Sequence, residues 1–353
     1  MGTLWFCLVA VMIATYVLLD GFDLGAGAIH FLVAKTAEER RQVLATIGPV
    51  WDGNEVWLVA AGGTMYFAFP ALYASGFSGF YLPLIIVLWL LILRGISIEF
   101  RNHLSNEVWT PLWDFLFCAA SLLLAVFYGA ALANVVRGVP LDASGYFFEP
   151  LWTNWRLGDQ TGILDWYTVL VGVFALAALV LHGALWVGMK TVGAVNQRAG
   201  HLAARAWWMV ALLTVIVTLV TFVVQPQVRA NLSAWPWGFV FPLLAVSGLA
   251  GVRWSLAKND EAKAFLTSCA YLAGMLASIV FGVYPMVLPA RDSAHSLTVE
   301  NAKAGAYGLK IGLVWWAVGM ILAALYSSIV YRSFVGKVTI ESDARAITGN
   351  KLP

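Results

Sequence analysis

Asp20 and Asp23 stand three residues apart in one long apolar run, and Asp52 and Glu55 stand three apart in the next. That spacing puts both members of a pair on one helix face. Arg94 closes a third apolar run and Asp114 opens a fourth. A charge within a lipid-length apolar segment costs roughly 2.5 to 3.5 kcal/mol on insertion scales, so each must be paired, hydrated or functional. Carboxylates stepping inward from one membrane face can pass protons if water links them, which makes Asp52, Glu55 and Asp23 candidates for a proton pathway. A static alternative stays open, in which Arg94 pairs with Asp114 or Asp23 to hold helices together and Asp20 serves packing or hydrogen bonding. On either reading Asp20, Arg94 and Asp114 make a polar cluster beside the pathway.

Other chemistries find less support. His103, His201 and His295 fall between apolar runs. His30 and His182 lie within runs but lack a second histidine at a ligand spacing, so a haem ligand and a buried, hydrogen-bonded histidine are both open readings. Cys7, Cys118 and Cys269 show none of the paired spacing of a metal site or disulfide framework. No phosphate loop, nucleophile elbow or HExxH pair occurs, so no catalytic residue and no metal site is assigned to this chain.

These groups sit in a chain of 353 residues, 61% hydrophobic and 11% charged, against roughly 45 to 50% and about 25% for a soluble domain. A water-soluble fold is excluded. The net charge of +2 leaves no basic surface for nucleic acid. The expected class is an all-α integral membrane protein. A span needs about 20 mostly apolar residues, and nine runs qualify: roughly 3–33, 48–70, 77–95, 112–134, 165–189, 205–224, 237–255, 264–288 and 306–332. Alternate connections hold fifteen lysines and arginines against five, which predicts an outside N-terminus and a cytoplasmic C-terminus. No signal peptide is expected, because Met1 to Leu4 carries no positive charge.

Shifting the chain by 159 residues lays Gly79, Phe80, Pro83, Leu84 and Arg94 on Gly238, Phe239, Pro242, Leu243 and Arg253. The match predicts two four-helix units of the same orientation, with one helix left over. The expected boundaries are 1–134 for the first unit, 135–163 for an outer connecting loop, 164–288 for the second unit, and 289–353 for the ninth helix and tail. A shift of 156 pairs Pro70 with Pro226 but sets Asp52 and Glu55 against Trp208 and Ala211. The second unit therefore lacks the carboxylates, which favours a function for them in the first. The outer loop is read as the one long connection. Its Tyr146, Phe147, Phe148, Trp152 and Trp155, beside Asp142, Glu149 and Asp159, serve either as an interfacial aromatic belt or as a docking surface for a partner.

Four stretches, DGFDLG (20–25), PVWDGNEVW (49–57), FSGFYL (77–82) and RGISIEFR (94–101), resemble the signature segments of subunit II of cytochrome bd quinol oxidases. The nine-span plan and the length agree with that family over the whole chain. The resemblance implies a terminal oxidase of the bacterial inner membrane that oxidises quinol and reduces dioxygen to water. Its haem-bearing subunit I is the partner and holds two b-type haems and one d-type haem, whereas subunit II is haem-free and carries no cofactor. Small single-span accessory subunits, membrane lipid and quinone are further expected partners. Carried over residue by residue, the family's interfacial proton route falls on Asp52 and its dioxygen passage includes Trp57, while Asp23, Arg94 and Asp114 match a polar cluster. Glu55 is a pathway candidate only. The competing class is a proton-coupled secondary transporter, which also shows repeats and midplane carboxylates.

Overall fold

With no water in the hydrocarbon to satisfy backbone N–H and C=O groups, each apolar run must close its hydrogen bonds within a helix. The computed structural model describes residues 1–104, 106–158 and 161–339. Asp159 of the outer loop, and Arg345 and Lys351 of the basic tail, lie outside the described residues. The helices are α1 (Gly2–Ala28), α2 (His30–Val33), α3 (Ala37–Ile47), α4 (Trp51–Ala68), α5 (Pro70–Gly79), α6 (Tyr81–Phe100), α7 (Trp109–Arg137), α8 (Trp166–Lys190), α9 (Gly193–Val224), α10 (Pro226–Ala234), α11 (Val240–Ala257), α12 (Glu261–Val283) and α13 (Ala306–Ser333). A short antiparallel pair, β1 (Met286–Leu288) and β2 (Leu297–Thr298), precedes α13.

Eight of these helices are long and apolar enough to cross a membrane: α1, α6, α7, α8, α9, α11 with the 3₁₀ turn before it, α12 and α13. The expected span not among these eight is the second, 48–70, which corresponds to α4, whose 18 residues include Asp52, Asn54 and Glu55 and do not reach that apolarity. Several boundaries differ from expectation. The first run breaks at Ile29, and the third is divided into α5 and α6, with α6 continuing to Phe100. The eighth run ends at Val283, because residues 284–305 form a second long connection that contains β1 and β2. The outer loop is thus not the only long connection.

Helix α1 is the hub, packing on α4, α7, α8 and α12, while α6 packs on α7 and α11 on α12. The α1–α8 contact is a backbone approach. A methyl placed on Gly25 would run into the Leu179 carbonyl oxygen and lie 2.7 Å from Gly183 Cα, and one on Gly183 would run into the Gly25 carbonyl carbon. Close packing of this kind matters in lipid, where apolar side chains gain little by leaving the hydrocarbon for one another. Phe22 of α1 stacks on Trp186 of α8 with ring centroids 4.0 Å apart, and Phe265 of α12 meets both rings. The prolines paired by the 156-residue shift occupy like positions. Pro70 and Pro226 each open a short helix after a residue in a similar non-helical conformation, Phe69 (φ −134°, ψ 68°) and Gln225 (φ −126°, ψ 87°).

Candidate functional site

The DGFDLG segment lies inside α1, so Asp20 and Asp23 project toward α4 and α6, where four further groups converge. Arg94, fully buried on α6, places Nη1 2.7 Å from Asp20 Oδ1 and donates from Nη2 to Glu55 Oε2 at 2.9 Å. Asp20 is as buried as Arg94, whereas the Glu55 side chain keeps 23% of its surface and opens toward the outer face of α4. Asp23 accepts a hydrogen bond from Asn54 Nδ2 at 2.8 Å, and Asn54 Oδ1 accepts one from the Tyr331 hydroxyl of α13 at 2.8 Å. Among the described residues, one oxygen of Asp23 and one of Asp20 face no partner. Two carboxyls share one guanidinium here and a third, Asp23, stands one turn away, so the site can hold a proton among them as well as an ion pair.

Asp114 belongs to a different site. It accepts from Arg101 Nε at 2.5 Å and from Arg40 at 3.1 Å, and His30 Nε2 lies 3.1 Å away. The expected cluster of Asp20, Arg94 and Asp114 is therefore two clusters, and Arg94 pairs with Asp20 and Glu55 rather than with Asp114 or Asp23. The reason is axial. Arg101 caps the end of α6 seven residues beyond Arg94, about 10 Å at 1.5 Å per residue, and Asp114 sits early in α7 at the same end of the bundle. Arg101 stood within the RGISIEFR stretch without an assigned role. Arg40, Asn54 and Tyr331 were not singled out either, because a polar residue next to an obvious carboxylate and a tyrosine in a last apolar run carry no spacing signal.

Asp52 and Trp57 lie apart from the buried groups. Helix α4 starts at Trp51, so Asp52 is exposed in its first turn, not a full turn inside the span. There it faces the positive end of the helix dipole. Trp57 is half-buried farther along the same helix.

The surroundings of the two span histidines bear on haem ligation. His182 is fully buried, its Nε2–H donates to the Leu18 carbonyl at 3.0 Å, and its Nδ1 lies 2.7 Å from the Ser268 hydroxyl. Phe265 stacks on the ring at 4.9 Å. With both nitrogens engaged and the ring face covered, His182 does not fit an axial ligand. His30 is committed through Nε2 to Asp114 and packs edge-on against Phe117.

On the opposite end, the long loop is fastened by charge. Arg137 at the end of α7 pairs with Asp165, the N-cap of α8, and with Glu149 at 3.0 Å, and Arg291 from the second connection also pairs with Glu149. Phe147 is buried beneath it, while Tyr146, Phe148, Trp152 and Trp155 are exposed.

Comparison with known proteins places the chain in a family. The family model for cytochrome bd terminal oxidase subunit II matches residues 1–334. A probable cytochrome oxidase subunit 2 from Haemophilus influenzae is 31% identical, with 99% of this chain and 97% of that protein covered. The cytochrome bd ubiquinol oxidase subunit 2 of Bacillus subtilis is 30% identical over 87% of this chain and 88% of its own length. The cytochrome bd-I ubiquinol oxidase subunit 2 of Escherichia coli K12 is 29% identical, covering 97% and 96%. The fold is also that of a chain in the bd oxidase structure from Geobacillus thermodenitrificans, with a TM-score of 0.73 at 18% identity, covering 95% and 98%. These matches set aside the secondary-transporter alternative. The chain belongs to the cytochrome bd terminal oxidase subunit II family.

Proposed function

We propose that this chain braces a haem-bearing subunit I and delivers protons to it, in a complex that oxidises quinol and reduces dioxygen to water. The observation that carries the reading is the line of charge running from the open face of α4 to the bundle interior, Glu55 to Arg94 to Asp20, with Asp23 one turn on. Asp52 forms the exposed mouth of this line, and Glu55 and Asp23 hold protons on either side of the Arg94 guanidinium, whose fixed charge keeps the carboxyls ionisable in a dry setting. Trp57, on the same helix, lines the passage for dioxygen.

The proposed architecture is nine spans, with α4 as the span of lowest apolarity. Two four-helix units, 1–134 and 164–288, are joined by the outer loop, and the ninth helix and tail follow. The α3 end faces the cytoplasm of a bacterial inner membrane, and the N-terminus lies outside. The two b-type haems and the d-type haem belong to subunit I, a division supported by the committed ring nitrogens of His182. The quinol is of the ubiquinol class, as in the names of the relatives from E. coli and B. subtilis. Small single-span subunits and lipid complete the assembly.

Asp52→Asn keeps shape and hydrogen bonding but removes the titratable proton. In an assembled, haem-replete complex it is expected to slow dioxygen reduction, and Asp52→Glu is expected to retain part of the rate. Normal turnover in the Asn variant, measured where proton uptake limits the rate, would take Asp52 out of the pathway.

A further inference from the structure

A cavity of about 540 Å³ opens at the α3 end of the bundle, between α3, α8 and α13. Its walls include Thr46, Trp186, Lys190, Tyr331, Ser333 and Val338. The segment after α13 forms one wall and is pinned in place. The Val338 N–H donates to the Lys190 carbonyl at 2.7 Å, Gln42 donates to the Val338 carbonyl at 2.8 Å, and Lys190 Nζ donates to the Phe334 carbonyl at 2.5 Å. At the inner end of this cavity stands Tyr331. Its hydroxyl donates away from the cavity, to Asn54 Oδ1, and Asn54 passes a hydrogen bond on to Asp23. Asn54 is 2% exposed and Asp23 1%, and the second oxygen of Asp23 has no hydrogen-bond partner among the described residues.

We propose that this cavity is a second cytoplasmic proton entrance, in which Tyr331 hands protons toward Asp23 and the Asn54 amide is the gate between them. The proposal deepens the proton-delivery reading above and rests on it. It places the inner carboxylates in contact with the cytoplasm by a route that does not pass Asp52.

The chemistry follows from what each side chain can carry. Asn54 has no titratable proton, so it orients the chain without conducting through it. While Asp23 is a carboxylate, Asn54 turns its NH₂ toward it and its oxygen toward the Tyr331 hydroxyl. A neutral Asp23 has an O–H to donate, and the satisfied arrangement is then the flipped amide, with Oδ1 accepting from Asp23 and Nδ2 donating to the tyrosine oxygen. Transfer occurs as the amide turns. With the amide turned, a water between the Tyr331 hydroxyl and the unpartnered Asp23 oxygen takes the tyrosine hydrogen and gives one of its own to the Asp23 carboxylate; Tyr331 takes one from a hydronium on the cavity side, the hydronium becomes water, and Tyr331 and the bridging water end unchanged while Asp23 becomes the acid. The groups around this step are Asp20 on α1, Glu55 on α4, Arg94 on α6, and Tyr16 and Tyr128, which bond to each other at 2.9 Å. At the cavity rim Lys337 is paired with Glu261 at 2.5 Å, which leaves Lys190 as a rim cation held on a carbonyl.

The test uses the whole oxidase in native membranes. Tyr331→Phe keeps the ring and removes the hydroxyl. It is expected to lower dioxygen reduction about tenfold at unchanged haem content, less than the 10²–10⁴ of a directly reacting acid or base because the Asp52 mouth remains. Combined with Asp52→Asn it is expected to be slower than either change alone. A second probe does not depend on Tyr331. Ser333→Cys in the exposed wall, treated with a membrane-impermeant thiol reagent, is expected to lose turnover in inside-out vesicles but not in right-side-out ones, with the unsubstituted oxidase as the control for Cys7, Cys118 and Cys269. Slow turnover in Asp52→Asn with normal turnover in Tyr331→Phe and in labelled Ser333→Cys overturns this entrance and leaves the earlier reading standing. The reverse pattern removes Asp52 and keeps the entrance.

Discussion

Two arginines that a 159-residue shift superposes have opposite fates. Arg94 on α6 is completely buried between Asp20 and Glu55, whereas Arg253 on α11 is exposed. The glycine contact between α1 and α8 gives a register of 158, under which Asp20 and Asp23 correspond to Ala178 and Leu181. Both of those are buried apolar residues. The two halves therefore share their proline-opened helices and their glycine approach but not their charges. A device common to both halves answers to folding. Carboxylates buried within the spans of only one half answer to something the other half does not do, which on the proposed function is proton handling.

The sharpest way to break this comparison is to neutralise both arginines. Arg94→Met leaves Asp20 buried and uncompensated, and removing one partner of a buried pair costs roughly 3 to 5 kcal/mol. Arg253→Met, at an exposed position, is expected to stay within about 0.5 kcal/mol. The thermal midpoint of the purified complex reads both. Adding Asp20→Asn and Glu55→Gln to Arg94→Met is expected to restore much of the loss, since the stranded charges go with the arginine. Equal midpoints for Arg94→Met and Arg253→Met would mean that the charged cluster is not a feature of one half alone.

The shared device is tested next. Gly25→Ala and Gly183→Ala each force a methyl into backbone atoms under 3 Å away, an overpacking expected to cost about 1 to 3 kcal/mol. Gly62 on α4, where an added methyl would meet nothing within 4 Å, is the control for helix propensity alone. The two lesions strike one contact, so the double variant is expected to fall short of additivity. Full additivity would show that the helices do not meet through these glycines.

The lipid-facing helices were legible because apolar length is a strong signal, and the charged residues were legible because they are expensive in that setting. Their pairing was not. Asp23 and Asp114 are the candidate partners for Arg94, with Asp20 read as serving packing or hydrogen bonding, until helix rotation and depth are known, and the i, i+3 spacing fixes a face without fixing which neighbour the face meets. Residues 284–288 were apolar enough to extend α12, yet they leave it and form β1. The short amphipathic helix α3 was missed although its start is written in the sequence. Thr36 and Glu39 make a capping box, Thr36 Oγ1 accepting from the Glu39 N–H at 3.2 Å and Glu39 accepting from the Thr36 N–H at 3.3 Å. A search for membrane spans passes over such a signal because the helix behind it is polar.

That capping glutamate supplies the mildest contrast with the Arg94 site. Glu39 accepts from Arg198 of α9 at 2.6 and 2.9 Å, and Arg198 also bonds the Val33 carbonyl, so the pair ties α3 to the other half of the bundle. Hydrogen bonds from Arg198 and from the Lys35 and Thr36 N–H groups hold the Glu39 carboxyl down at about 2, against an ordinary value of 4.5. A depressed carboxyl stabilises the fold in full above its unfolded value and loses that contribution as pH falls through the folded one. The tether should therefore be intact at pH 7, weaken below about 4.5 and be gone near 2. Arg198 keeps 31% of its side-chain surface, so the pair is worth at most about 1 kcal/mol. Glu39→Gln is expected to lower the thermal midpoint slightly at pH 7 and to converge on the parent as the solution is acidified toward pH 2. A gap that stays constant with pH would assign the effect to the neutral capping hydrogen bonds and leave Arg198 without a part in it.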